Sequence, residues 1–396
     1  MVATHLTAPI ANERTRRLTE QPVGRLLWTF SLPAIAGMMV SSLYTVIDRL
    51  FLGNVVGADA LAGLSICMPI AFVIMAVGML IGVGSGALVS IRLGQGRKDD
   101  ADAILGNAVA MALIAAVVLS TGFLLALDPL LRAFGATAHT LPYAKQFMSV
   151  ILLGSFFQYA SFGLNALIRA EGNPRLAMAT QLINAGLNIA LDALFIFGFG
   201  WGVTGAAVAT VLAQGVSAVW TLAHFRSNRA VLRLRMANIR VRWSVAAPAL
   251  AIGLAPFAMH LAGSVSILLL NKGLSHHGGD HAIGAYGVIS SLAMLFLMPV
   301  FGIVQGAQPI IGFNYGAGNL DRVRRALKLA ILSATAVVCL GFGVVQTFPA
   351  VLLAGFANDP QLVAIGTRGM HICLAMMPVV GFQVVGANFF QAIGKA

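Results

Sequence analysis

The sequence predicts an all-α polytopic membrane protein, and three observations carry that reading. Apolar residues fill 59% of the 396 positions and charged residues only 10%, against about 25% charged in an ordinary soluble domain. Apolar runs of about 20 residues, the length that crosses a bilayer, recur along the whole chain between short polar clusters. The basic residues then gather on alternate connections. A large soluble helical protein would need charged helix faces, and these runs have almost none.

Taken in order, ten spans are expected, at residues 26–48, 60–89, 103–127, 143–168, 176–198, 203–225, 244–271, 282–311, 326–354 and 361–390. With the N-terminus cytoplasmic, 20 of the 25 Lys and Arg residues fall on cytoplasmic segments. The tail contributes Arg14, Arg16, Arg17 and Arg25, and the stretch 226–243 contributes Arg226, Arg229, Arg233, Arg235, Arg240 and Arg242. The outer side receives Arg49, Arg132, Lys145, Lys272 and Arg368. That asymmetry orients the chain, and it accounts for the net charge of +12 without a nucleic-acid partner. Cys67, Cys339 and Cys373 all lie in apolar spans, so neither a disulfide framework nor a CxxC metal pattern is expected. Residues 1–25 have no apolar core of a signal peptide and read as a cytoplasmic tail.

The chain also repeats itself. Gly86 and Gly96 match Gly306 and Gly316 at an offset of 220, and ADALAGL (58–64) matches GDHAIGA (279–285) near 221. Pro33 matches Pro256 at 223, and Arg169–Gly172 matches Gln391–Gly394 at 222. Both first spans start on the same side, so the repeat is parallel. Residues 26–225 form a first lobe, 226–243 a basic linker, and 244–396 a second lobe that stops opposite Pro174. About fifty residues, the counterparts of spans five and six, are expected to be missing from it, as in a fragment or a shortened protein. Internal duplication of this kind marks secondary transporters. The glycine-rich GVGSGALVSIRLGQGRKDD lacks a preceding strand and a GK[ST], so it signals close helix packing rather than a nucleotide site.

Of the thirteen acids, eleven fall in tails, loops or span ends; only Asp48 and Asp192 lie inside apolar spans. An acid at such depth costs roughly 2.5–3.5 kcal/mol on insertion scales, so it needs a cavity, a partner or a proton path. Asp192 lies about 25 Å above Arg175 at 1.5 Å per residue, and Asp48 sits at similar depth above Arg25, so the two can pair. Tyr44 is one helical turn before Asp48. Asn184, Asn188 and Asp192 form an i, i+4, i+8 stripe, and Asn165 and Thr210 add an amide and a hydroxyl. Helix packing alone explains the Asn and Thr residues; the acids ask for a proton or Na⁺. Pro33 kinks the first span, as a fixed bend or one that changes during transport. His276, His277, Asp280 and His281 of HHGGDH are read as a solvated loop rather than a metal site.

Together, LYTVIDRLFLG, RAEGNP, NIALDALFIFGFGWGVTGAAVAT and FFQAIGKA resemble the multidrug and toxic compound extrusion (MATE) family, nearest its DinF-like bacterial branch, from about Val23 to Ala396. The resemblance implies two six-helix lobes in a V and efflux of cationic or amphipathic compounds driven by H⁺ or Na⁺. It also implies an N-lobe cavity at Tyr44, Asp48, Asn165, Asn188, Asp192 and Thr210, with the first helix bending at Pro33. Other branches carry acids in the seventh and tenth spans. Their absence here points to the DinF-like branch and away from a C-lobe cation site. Family members normally have twelve spans.

The expected function is a monomeric H⁺-coupled multidrug antiporter of the bacterial plasma (inner) membrane, working by alternating access. Asp48, Asp192, Asn188, Tyr44 and Thr210 would couple the ion; Asn165, Asn184 and Tyr44 would bind substrate; Pro33 would be the hinge. No catalytic residue, metal or cofactor is expected, only H⁺ or Na⁺ as the coupling ion. The partners are the lipid bilayer and small amphipathic compounds. Alternatives are Na⁺ coupling, or a lipid-linked oligosaccharide flippase, which would be expected to carry mid-span arginines. A membrane-embedded hydrolase would need HExxH or GxSxG, and neither is present.

Overall fold

In a bilayer every backbone N–H and C=O must find its partner within the protein, which leaves apolar segments little choice but the helix. The computed structural model describes the backbone of residues 8–56, 58–354 and 360–395, and it is helical almost throughout, with no strand among the described residues. The helices are α1 (Ala8–Glu20), α2 (Val23–Val55), α3 (Ala58–Gly94), α4 (Lys98–Leu125), α5 (Leu127–Ala133), α6 (Leu141–Leu153), α7 (Ser155–Ala170), α8 (Pro174–Asp192), α9 (Gly202–Arg226), α10 (Trp243–Gly316), α11 (Leu320–Thr347), α12 (Pro349–Ala354), α13 (Pro360–Cys373) and α14 (Met377–Ala392). Eight stretches among the described residues are long and apolar enough to cross a membrane. Two bent pairs, α6 with α7 (56°) and α13 with α14 (49°), raise the number to ten, as expected.

The helical run α10 holds two of these stretches, Trp243–Gly263 and Ala285–Gly316. Between them the backbone of HHGGDH is helical, not the loop expected there. Gly278 and Gly279 cost a helix only about 1 kcal/mol each, too little to interrupt it. The side chains of 274–284, and with them any metal role for His276, His277, Asp280 and His281, lie outside the described residues.

Backbone conformation fixes the register of the repeat. Gly96 (φ +73°) and Gly318 (φ +75°), then Gly172 (φ +90°) and Gly394 (φ +73°), end equivalent helices in the left-handed region that favours glycine. Both pairs are 222 apart, which sets Gly94 against Gly316 and corrects the offset of 220 expected for this stretch. Glycines recur at a spacing of two here, so sequence matching alone slides by one such step unnoticed. The breaks also correspond: Gly154 separates α6 from α7, and Met376, 222 positions later, lies in the break between α13 and α14.

The two halves interlock at the end of the molecule rich in Arg and Lys. A Cβ on Gly94 would lie 2.0 Å from the Phe313 carbonyl, and one on Gly316 would lie 2.1 Å from that of Ile91. Gly84 and Gly253 meet the Ala249 and Leu80 carbonyls equally closely (1.9 Å), while Gly306 backs onto Ser31. Core packing crosses the same boundary. Leu18, Val23, Leu26, Leu27 and Phe30 pack in a core built mainly from the second half. Ala246, Ala249 and Ile252 pack in a core with α3, α4 and α7. The first helix of each half thus begins in the core of the other.

The segments that lead into these helices are fastened to match. Glu171, buried, accepts from the backbone N–H groups of Val231 (2.9 Å) and Leu232 (3.2 Å) and pairs with His224 (2.6 Å). Asp102, also buried, accepts from the Arg233 N–H (2.8 Å), and Asn107 donates to the Arg240 carbonyl (3.2 Å). These contacts dock the linker on the first half. On the second half, Arg322 donates to the carbonyls of Leu18 (3.1 Å) and Gln21 (2.7 Å), and Asn314 donates to that of Leu18 (3.3 Å).

Candidate functional site

The site is assembled from α2, α3, α7, α8 and α9. Helix α8 starts at Pro174, where Asn173 caps the Leu176 N–H (3.4 Å). It ends at Asp192, where the backbone widens into a π-helical turn, Ala193–Gly198. Such turns are rare and concentrate at functional positions. Phe195 stacks on Phe199 (5.8 Å) and on Trp201 (5.2 Å), packing the turn and with it the end of α8.

Asp192 is fully buried, and neither of its carboxylate oxygens finds a hydrogen-bond donor among the described residues. Asp48, half-buried on α2, lies close enough for its charge to act on Asp192, and the charges of both acids act on Tyr44. Buried Asn188 donates to the Thr210 hydroxyl (3.2 Å), while its Oδ1 has no donor. The Asn184 Oδ1 and Gln181 Oε1 are likewise buried without a donor. A native interior matches nearly all its buried polar atoms. This region holds a surplus of oxygen acceptors, which is the chemistry that binds a proton or a hard cation.

Beside the acids lies a cavity of about 190 Å³. Tyr44, Asn165 and Asn184 line it, together with Gln158, Gln181, Gln214, Ser41 and Phe162. Asp48, Asp192, Asn188 and Thr210 do not. The expected site residues therefore fall into an acid end and an amide-lined cavity, with Tyr44 belonging to both. The three glutamines were not singled out in the sequence. For two of them the signal was helical spacing: Gln181 precedes Asn184 by three residues and Gln214 follows Thr210 by four. The Asn165 amide is engaged at both ends, donating to the Ala177 carbonyl (2.9 Å) and accepting from Arg169, so it braces α7 against α8 as well as lining the cavity.

Pro33 lies inside α2, whose helix continues unbroken through it. One turn further on, Gly37 lets Gln181 close in: a Cβ there would lie 2.0 Å from its Oε1. Among the described residues no three His, Cys, Asp or Glu side chains are grouped to hold a metal.

The MatE family model matches residues 33–194 and 256–396. The chain belongs to the MatE family. Membership makes it a transporter rather than an enzyme. It is 27% identical over 389 residues to the multidrug export protein MepA of Staphylococcus aureus (strain NCTC 8325 / PS 47), covering 97% of this chain and 85% of MepA. MepA of Staphylococcus haemolyticus (strain JCSC1435) is 25% identical, with 95% and 83% covered. Among solved structures, a ligand complex of the MATE multidrug transporter DinF-BH is 35% identical at a TM-score of 0.87, covering 94% of this chain and 83% of that one. A MATE crystal structure in the straight conformation shares the fold at a TM-score of 0.90, with 24% identity and 96% and 84% covered.

Proposed function

We propose that this MatE protein is a multidrug efflux antiporter of the bacterial plasma membrane, with a cytoplasmic N-terminus, that exchanges amphipathic or cationic compounds for H⁺ by alternating access as a monomer. The observation that carries the reading is the cluster of buried oxygens without donors, both of Asp192 and the Oδ1 of Asn188, beside the cavity that Tyr44 and the amides line. Two carboxyl groups in one apolar site carry two negative charges only at high cost. A proton arriving there relieves that cost and changes how α2 sits against α8. Bending of α2 at Pro33 would then narrow the cavity beside Tyr44 and displace its occupant. The names of MepA and DinF-BH support multidrug compounds as the cargo class.

Glycine contacts close the basic end of the molecule, which supports a state open to the outside. Na⁺ coupling is favoured by one observation, the buried amide oxygens of Asn184 and Asn188, which are ligand types a hard cation takes. Proteoliposomes loaded with a fluorescent cation such as rhodamine 6G separate the two ions. With pH and Na⁺ gradients imposed one at a time, the account expects efflux under the pH gradient and none under Na⁺ alone. Efflux driven only by Na⁺ would transfer the coupling role to that ion.

A further inference from the structure

At the basic end lies a second cavity, of about 350 Å³, that the transport reading does not use. Arg17 and Arg25 from the α1–α2 segment and Arg175 from the start of α8 converge on it, with Gln21 and Thr29 between them. Several arginines on this face have an acid: Arg16 pairs with Glu20, Arg97 with Asp100, and Arg235 lies near Asp99. Arg17 is paired with Glu13 along α1. Arg25 and Arg175 have no carboxylate partner among the described residues. The N-terminus of α8 adds positive charge of its own on the same cavity. Several like charges facing one cavity repel each other unless an anion joins them.

We infer that this cavity binds the phosphate headgroup of an anionic phospholipid, held by Arg25 and Arg175 with Arg17 at the rim. A lipid is favoured over a soluble phosphate by depth. The cavity sits where α2 and α8 enter their apolar stretches, and Leu26 and Phe30 are among the residues that line it. Trp28, one turn beyond Arg25, is 43% exposed, at the level where tryptophan marks the membrane interface. Basic pockets between spanning helices are a recurrent form of headgroup recognition. Gln21 belongs to the segment that Arg322 ties to the second half, while Arg175 belongs to the first half. A headgroup between them would therefore brace the two halves at their closed end.

The test is a titration of the purified, delipidated full-length protein with phosphatidylglycerol, followed by native mass spectrometry. One lipid copy is expected to bind more tightly than the rest. Arg25→Gln and Arg175→Gln should each weaken it roughly fivefold, and together about thirtyfold. Arg229→Gln, on the linker, should leave it unchanged. Arg175 is exposed in the first turn of α8, so its single substitution keeps the test available should the pair fail to fold. Three results would overturn the inference: binding unaffected by the arginine substitutions, equal binding of zwitterionic phosphatidylcholine, or displacement of the lipid copy by millimolar glycerol phosphate. The last would assign the cavity to a soluble anion instead.

Discussion

At the scale of single residues, the proposed function rests on buried oxygens left without donors. The stripe Asn184, Asn188 and Asp192 was legible in the sequence because helical spacing alone aligns it. That Asp192 would be fully buried without a donor was not, because it depends on how α8 faces α2 and α9. Asp192→Asn preserves the shape, cannot titrate, and places an amide donor among acceptors that have none. It should therefore leave the fold intact while lowering pH-driven drug efflux at least roughly tenfold, as measured in proteoliposomes. Gln214→Leu removes one cavity amide without touching the acids. A lost hydrogen bond of about 0.5–1.5 kcal/mol should weaken substrate binding about two- to tenfold, read by fluorescence titration. Glu171 and Asp102 do lie at span ends, as the sequence indicates, but their burial was not legible. Their partners are linker N–H groups some 60 and 130 positions away, and no local pattern encodes a contact of that range.

At the scale of elements, the helices were readable from apolar run length and their interruptions were not. The breaks at Gly154 and Met376 fall within runs that read as single spans, and only their recurrence at the repeat distance identifies them as built features. The linker is a further element with its own anchor. Glu171→Ala would strand the Val231 and Leu232 N–H groups, costing about 1–3 kcal/mol locally. Limited trypsinolysis should then cut between Arg229 and Arg235 faster than in the parent protein, with the remaining fragments unchanged. The glycine crossings are sterically demanding in a way their sequence does not display. Gly316→Ala drives a methyl into the Ile91 carbonyl and should lower stability by about 1–3 kcal/mol, seen as a drop in Tm. Gly122→Ala in α4 meets nothing within 4 Å, so it should be neutral or raise stability by up to about 1 kcal/mol.

At the scale of the whole molecule, duplication predicted two related lobes, the second lacking the counterparts of two spans, with the linker 226–243 between them. The packing is less tidy: each first helix begins in the core of the other half, and interlocked glycines close one end. In the proposed antiport, parallel repeats joined through their first helices at one end would pivot there. The acid pair and the amide-lined cavity lie wholly in the first half, so the proposed coupling is one-sided within this duplicated frame. In the proposed mechanism this pair carries the coupling proton and gives it up when cargo binds. Its most direct measurement is proton release from the purified protein in weak buffer on addition of rhodamine 6G. The account predicts release by the parent protein and none by the Asp48→Asn/Asp192→Asn variant, with dye binding to the amide-lined cavity retained in both. Undiminished release by that variant would place the coupling proton elsewhere and contradict the account.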